Sequence, residues 1–133
     1  EMATMIKFRA WDKVQNKMLL PDNIEFSHGQ AYWAEASADG QDECSNDGQV
    51  DGIYALFKLE QFTGLKDVNG KDIYEGDIVE VTSQYWGMLG NRYEVKFKQG
   101  AFYVKYGLLS EISPSISVIG NVHENQELLE AEK

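Results

Sequence analysis

The chain has 133 residues, of which 43% are hydrophobic and 12% aromatic; this suffices for a buried core in one domain and excludes a disordered composition despite 26% charged residues. The 22 acids against 12 bases give a net charge of −10, which repels phosphate backbones at long range and disfavours nucleic acid as a partner. A single cysteine, Cys44, excludes an intramolecular disulfide, and no Cys/His cluster has zinc-ligand spacing, so neither metal nor cofactor is expected.

No apolar run approaches the roughly 20 residues that span a bilayer, and the start lacks a signal-peptide pattern. A reducing cytoplasm is the expected location, with no membrane partner. Translation does not begin on glutamate, so residues 1–4 are expected to be partly foreign to the natural chain, whose start would be Met2 or Met5.

Ile6, Phe8 and Ala10 alternate with Lys7 and Arg9, the period of a half-buried strand over 6–10. A polar turn over 12–17 follows, and Met18, Leu19 and Leu20 return as a partner strand stopped at Pro21. Ile24 and Phe26 mark a further short strand, so this part reads as an N-terminal hairpin with an extension. Between Ser37 and Gly52, Asp39, Asp42, Glu43, Asp47 and Asp51 face no basic residue. A calcium loop fails here: with Gly48 as the turn glycine, Glu43, Ser45 and Asp47 fit the ligand spacing, but Tyr54 stands where the closing glutamate is needed. An acidic, variable surface loop over 37–52 is the expectation.

Residues 57–62 alternate as a strand and lead into a span punctuated by Gly64, Asn69-Gly70 and Gly76-Asp77, read as three chain reversals because Gly reaches positive φ freely and Asn and Asp tolerate it. Residues 78–81 leave as a strand. Gly87 and Gly90 then suggest a tip presenting Tyr85, Trp86 and Met88. Tyr93, Val95 and Phe97 alternate with Arg92, Glu94, Lys96 and Lys98; the chain reverses at Gln99-Gly100; Phe102, Val104 and Tyr106 alternate with Tyr103 and Lys105. This predicts a hairpin over 93–97 and 102–106 with Phe97 and Val104 in the core. A last strand spans 116–119, and residues 121–133 read as a short helical or irregular tail capped at Asn121 or Asn125. The pattern is mainly β, a small antiparallel barrel or roll.

Four segments in order, namely 6–12 (Ile-Lys-Phe-Arg-Ala-Trp-Asp), 61–71 with Thr63-Gly64 and Asn69-Gly70-Lys71, 73–79 (Ile-Tyr-Glu-Gly-Asp-Ile-Val) and 119–125 (Ile-Gly-Asn-Val-His-Glu-Asn), resemble the YopX family of phage and prophage proteins. The resemblance implies a small β-rich domain whose part over 56–122 is similar to an SH3-like barrel, encoded by a phage or prophage and working in the cytoplasm of a bacterial host. It brings no activity and no catalytic residues. The acidic segment aligns with no family motif.

Three functional classes follow. A non-enzymatic interaction module would use Tyr32, Trp33, Tyr85 and Trp86 as anchors for a host or phage protein, or self-associate through an edge strand. A nucleic-acid-binding accessory protein would use the basic hairpin face of Arg92, Lys96, Lys98, Tyr103 and Lys105, since single-strand binders interleave aromatic side chains with cations. An enzyme is the third class, although the chain has no nucleophile elbow or phosphate loop, and neither His28 nor His123 has a sequence-evident partner. Gly64, Asn69, Gly70, Gly76, Asp77 and Gly100 are read as structural turns. A protein partner is the leading expectation because it imposes no long-range repulsion.

Overall fold

The computed structural model describes residues 6–39, 46–83, 87–105 and 107–130. Antiparallel strands dominate them, and the chain divides into two compact units, one of residues 7–61 and one built on the chain from Phe62 onward. Strand β5 (Phe57–Lys66) runs from the first into the second. No helix among the described residues is long and apolar enough to cross a membrane.

In the first unit β1 (Phe8–Asp12) lies between β2 (Lys17–Ser27) and the first half of β5. Arg9, Ala10, Trp11 and Asp12 are all buried, so both faces of β1 are covered, where simple alternation predicts one wet face. Arg9 sits directly opposite Glu60, and its Nε donates to the buried Glu60 carboxylate at 2.9 Å. Such a charge is tolerable in a core because it is paired. Asp12 closes the following turn: Oδ1 accepts from the N–H groups of Val14 and Gln15, and Oδ2 accepts from Asn46 Nδ2.

Pro21 does not stop β2. The strand shifts register between Pro21 and Asn23, and such an irregularity accommodates a residue with no N–H to give the ladder. The chain then reverses at His28-Gly29, with φ of 54° and 81°, into β3 (Gln30–Ser37), a strand that the sequence pattern did not reveal. The acidic segment is also not wholly a loop, for β4 (Asn46–Gln49) pairs with β3. Gly48 permits this, since a Cβ there would stand 2.8 Å from Leu56 Cδ2. The core is Ala10, Leu19, Ala34, Ala36, Val50, Phe57 and Leu59. One parallel bridge, Val50 to Phe57, joins the segment after β4 to β5, and the strands do not form a closed barrel.

The second unit starts with the rest of β5 paired to β6 (Asp72–Tyr74). Gly64, with φ of 86°, lies inside β5 at a register irregularity and not at a chain reversal. The reversal comes at Asp67 to Lys71, where Asp67 Oδ1 accepts from the N–H groups of Asn69 and Lys71 and Gly70 takes φ of 83°. Asp67 Oδ2 accepts from Val118 N–H, which ties this turn to the last strand. Gly76, φ 88°, turns the chain into β7 (Asp77–Val81), and Asp77 Oδ2 secures the corner by accepting from Tyr74 N–H.

β7 is the centre of a sheet with β8 (Arg92–Glu94) and β12 (Ile116–Asn121). A second sheet has β10 (Ala101–Val104) between β9 (Lys96–Lys98) and β11 (Gly107–Leu108). Ile73, Val79, Val81, Tyr93, Val95, Val104, Leu109, Ile112 and Ile116 make the core. Leu109 and Ile112 come from α1 (Leu109–Ile112), too short for a helical period to be visible, and a 3-10 turn at Ser113–Ser115 leads into β12. The tail carries α2 (Glu127–Glu130).

Phe97 is not a core residue: it is 46% exposed, with its ring 4.9 Å from that of Phe102. The cause is a change of sheet. Val95 N–H still bonds to Asp77 of β7, but the chain then pairs with β10, so the alternation continues while the sheet departs from the core. Met88 is half-buried against the core, where an exposed tip was expected. Tyr106, the expected end of the hairpin, lies outside the described residues, as do residues 40–45, including Cys44.

Candidate functional site

The alternation from Arg92 to Lys98 is unbroken across the change of sheet. Tyr93 and Val95 point into the core, so Arg92, Glu94, Lys96 and Lys98 share the opposite side. The reversal at Gln99-Gly100, with φ of 53° and 82°, has the two-residue geometry that matches strand twist, and it sets Tyr103 directly opposite Lys96. These strands and the end of the tail enclose a cleft of about 370 Å³. All five residues of the basic face singled out in the sequence (Arg92, Lys96, Lys98, Tyr103 and Lys105) line it.

The cations differ in how they are held. Arg92 Nε lies 3.3 Å from Glu80 Oε2, and Arg92 Nη1 donates to the Leu128 carbonyl at 3.2 Å, so this guanidinium is fixed by two elements. Lys96 and Lys98 are exposed, and Lys98 Nζ stands 5.4 Å from the centre of the Tyr103 ring. That separation suits a cation–π contact, worth about 0.5–1 kcal/mol at an exposed site. Among the described residues Glu94 is the one acid of the lining. The cleft is therefore a locally cationic concavity on a chain of net charge −10.

Tyr93, Val104 and, from α2, Leu129 also line the cleft. The sequence reading gave this segment no part in a site. Its only signal was Leu128-Leu129 in an otherwise polar tail. Arg92's attachment to Glu80 and Leu128 was likewise invisible, since it depends on the lie of three separate segments.

The other described candidates do not line the cleft. Tyr32 is 46% exposed and Trp33 is half-buried; β3 shifts register at this point, with Glu25 directly opposite Trp33, so simple alternation does not assign the two rings to faces. Tyr32 Oη donates to Glu25 Oε1 at 2.9 Å, and this bond, with the nearby negative charge, raises the phenol's pKa. Tyr85 and Trp86 lie outside the described residues. His28 sits in the β2–β3 turn beside Ser27 Oγ, His123 in a turn where its N–H donates to Asn121 Oδ1, and neither lines the cleft. Among the described residues no three His, Cys, Asp or Glu side chains are placed to hold a metal ion.

Residues 7–130 match the family model described as YopX protein, and the chain belongs to that family. It is similar to the crystal structure of protein EF1440 from Enterococcus faecalis, with 26% identity and a TM-score of 0.67 over 96% of this chain and 99% of that one. The comparison with curated proteins finds no match.

Proposed function

We propose that this member of the YopX family is a non-enzymatic binding module of phage or prophage origin, acting in the cytoplasm of its bacterial host, and that its basic cleft takes a segment of single-stranded nucleic acid. The observation that carries this reading is the convergence of Arg92, Lys96, Lys98, Lys105 and Tyr103 on one cleft. On this reading the part of the chain over 56–122 is an SH3-like scaffold that presents the cleft.

The net charge of −10 is the main objection, and distance answers it. At physiological ionic strength charges more than about 8 Å apart are largely screened, so a phosphate seated among the lysines feels them far more than the scattered surface acids. The acids slow the approach; the cleft decides the bound state. A single strand suits the cleft better than a duplex because stacking on Tyr103 needs an unpaired base, and a base placed there would release Lys98 to a phosphate.

Affinity capture from the bacterial host, with and without nuclease and over a range of salt, tests the reading. Retention of nucleic acid that is lost on nuclease or salt treatment supports it. A protein partner that persists through both would replace it with the protein-interaction reading, because apolar interface cores are little weakened by salt.

A further inference from the structure

We infer that α2 is a displaceable strap across the cleft, and that docking of this strap and occupation of the cleft by a nucleic-acid phosphate exclude one another. The inference rests on the proposed function and adds its regulation. It starts from the motif at 119–125, which the fold uses as an elbow. Asn121 Oδ1 accepts from the N–H groups of His123 and Glu124, while Asn125 Oδ1 accepts from Asn121 N–H. Gly120 lets Asn125 close in, for a Cβ there would stand 2.5 Å from Asn125 Oδ1. The elbow is tightly bonded, and what it aims is α2.

Among the described residues the attachment beyond the elbow is slight. α2 has four residues, Leu128 and Leu129 are only half-buried, and the Leu128 carbonyl accepts from Arg92 Nη1. Short terminal elements with little buried surface open locally at small free-energy cost. Arg92 is the shared group: Glu80 takes its Nε, Leu128 takes Nη1, and the same side chain lines the cleft. A phosphate gripped by two parallel N–H groups needs one guanidinium edge cleared. Both bonds come from the charged guanidinium, but Glu80 accepts on a carboxylate and Leu128 on a neutral carbonyl, so the strap is the partner that yields.

Charge acts in the same direction. Glu124 and Glu127 are exposed, and the sequence over 124–130 has no base to offset its acids. An incoming polyanion repels this segment while it attracts Arg92 and the lysines. Because coupling is reciprocal, whatever loosens the strap tightens binding by the same factor that binding loosens the strap.

The test uses the full chain, a fluorescent oligothymidylate and hydrogen exchange at the amides of Leu128 and Leu129, which bond to the carbonyls of Asn125 and Gln126. The strap predicts that bound oligonucleotide speeds exchange at both amides, and that Leu128→Ser, outside the cleft lining, binds about fivefold or more tightly. Binding with exchange slowed or unchanged, and no gain in Leu128→Ser, overturns the strap and leaves the cleft standing. If neither protein binds oligothymidylate, the cleft reading fails and takes the strap with it.

Discussion

Replacing Asp67 with Asn probes a turn carboxylate of the second unit that accepts from three backbone N–H groups. In the native protein Oδ1 accepts from Asn69 N–H at 2.8 Å and Lys71 N–H at 2.9 Å, and Oδ2 accepts from Val118 N–H at 2.8 Å. Asparagine can keep the Oδ1 pair, but its amide nitrogen then faces the Val118 N–H, donor against donor. Losing one hydrogen bond to a charged group costs about 1.5–3 kcal/mol, and the other two weaken as their acceptor becomes neutral, for a total of about 3 kcal/mol. With a urea m-value of about 1.5–2 kcal/mol/M, the denaturation midpoint should fall by about 1.5 to 2 M without a change in m. Burial pushes the Asp67 carboxyl up, but the three N–H donors, with Lys71 nearby, outweigh it and hold the pKa below the ordinary value. The unfolded chain therefore takes up the proton first. The aspartate's advantage over asparagine should be complete above about pH 5, begin to shrink near the unfolded value of about 3.9, and vanish as pH falls through the folded value. A gap between the two proteins that stays constant from neutral pH to about pH 2.5 would refute the role given to the charge.

Glu60→Ala should cost about 3–5 kcal/mol in thermal or urea denaturation, since it removes the buried carboxylate that sits opposite the Arg9 guanidinium. The double replacement Arg9→Met with Glu60→Leu should return most of that loss, and a double variant as unstable as the single one would contradict the pairing argument. Phe97→Ala should cost only about 1 kcal/mol, the scale of an exposed aromatic pair, whereas Val104→Ala should cost about 2 kcal/mol. Equal or reversed losses in parallel urea titrations would return Phe97 to the core.

Much of this architecture was legible because short-range alternation is a local property. The run from Arg92 to Lys98 survives a change of pairing partner, so the basic face could be read as one surface before its strands were known to belong to two sheets. The same run misleads about Phe97, because alternation reports a side of the strand and not what covers it. β3 and β4 were hidden for a related reason: Tyr32 and Trp33 adjoin, and Gly48 lies where the strand must approach Leu56, so neither segment shows a clean period. Gly64 and Gly70 both take positive φ, yet only the second closes a turn, which is decided by how β5 and β6 pair. The part of the site least visible in sequence was Leu129 and the Leu128 carbonyl, which reach Arg92 only through the elbow at 120–125.

The most direct test of the cleft is a titration of labelled oligothymidylate by fluorescence anisotropy over a salt series, with Lys96→Ala and Lys98→Ala alongside the parent chain. Each phosphate contact on a single strand contributes a slope of about −0.7 in log K against log salt, so three or four cleft cations predict a slope between about −2 and −3. Each lysine variant should bind more weakly and lower the magnitude of that slope by about 0.7. Binding that is insensitive to salt, or that both variants keep at full strength, would contradict the assignment of the cleft to nucleic acid.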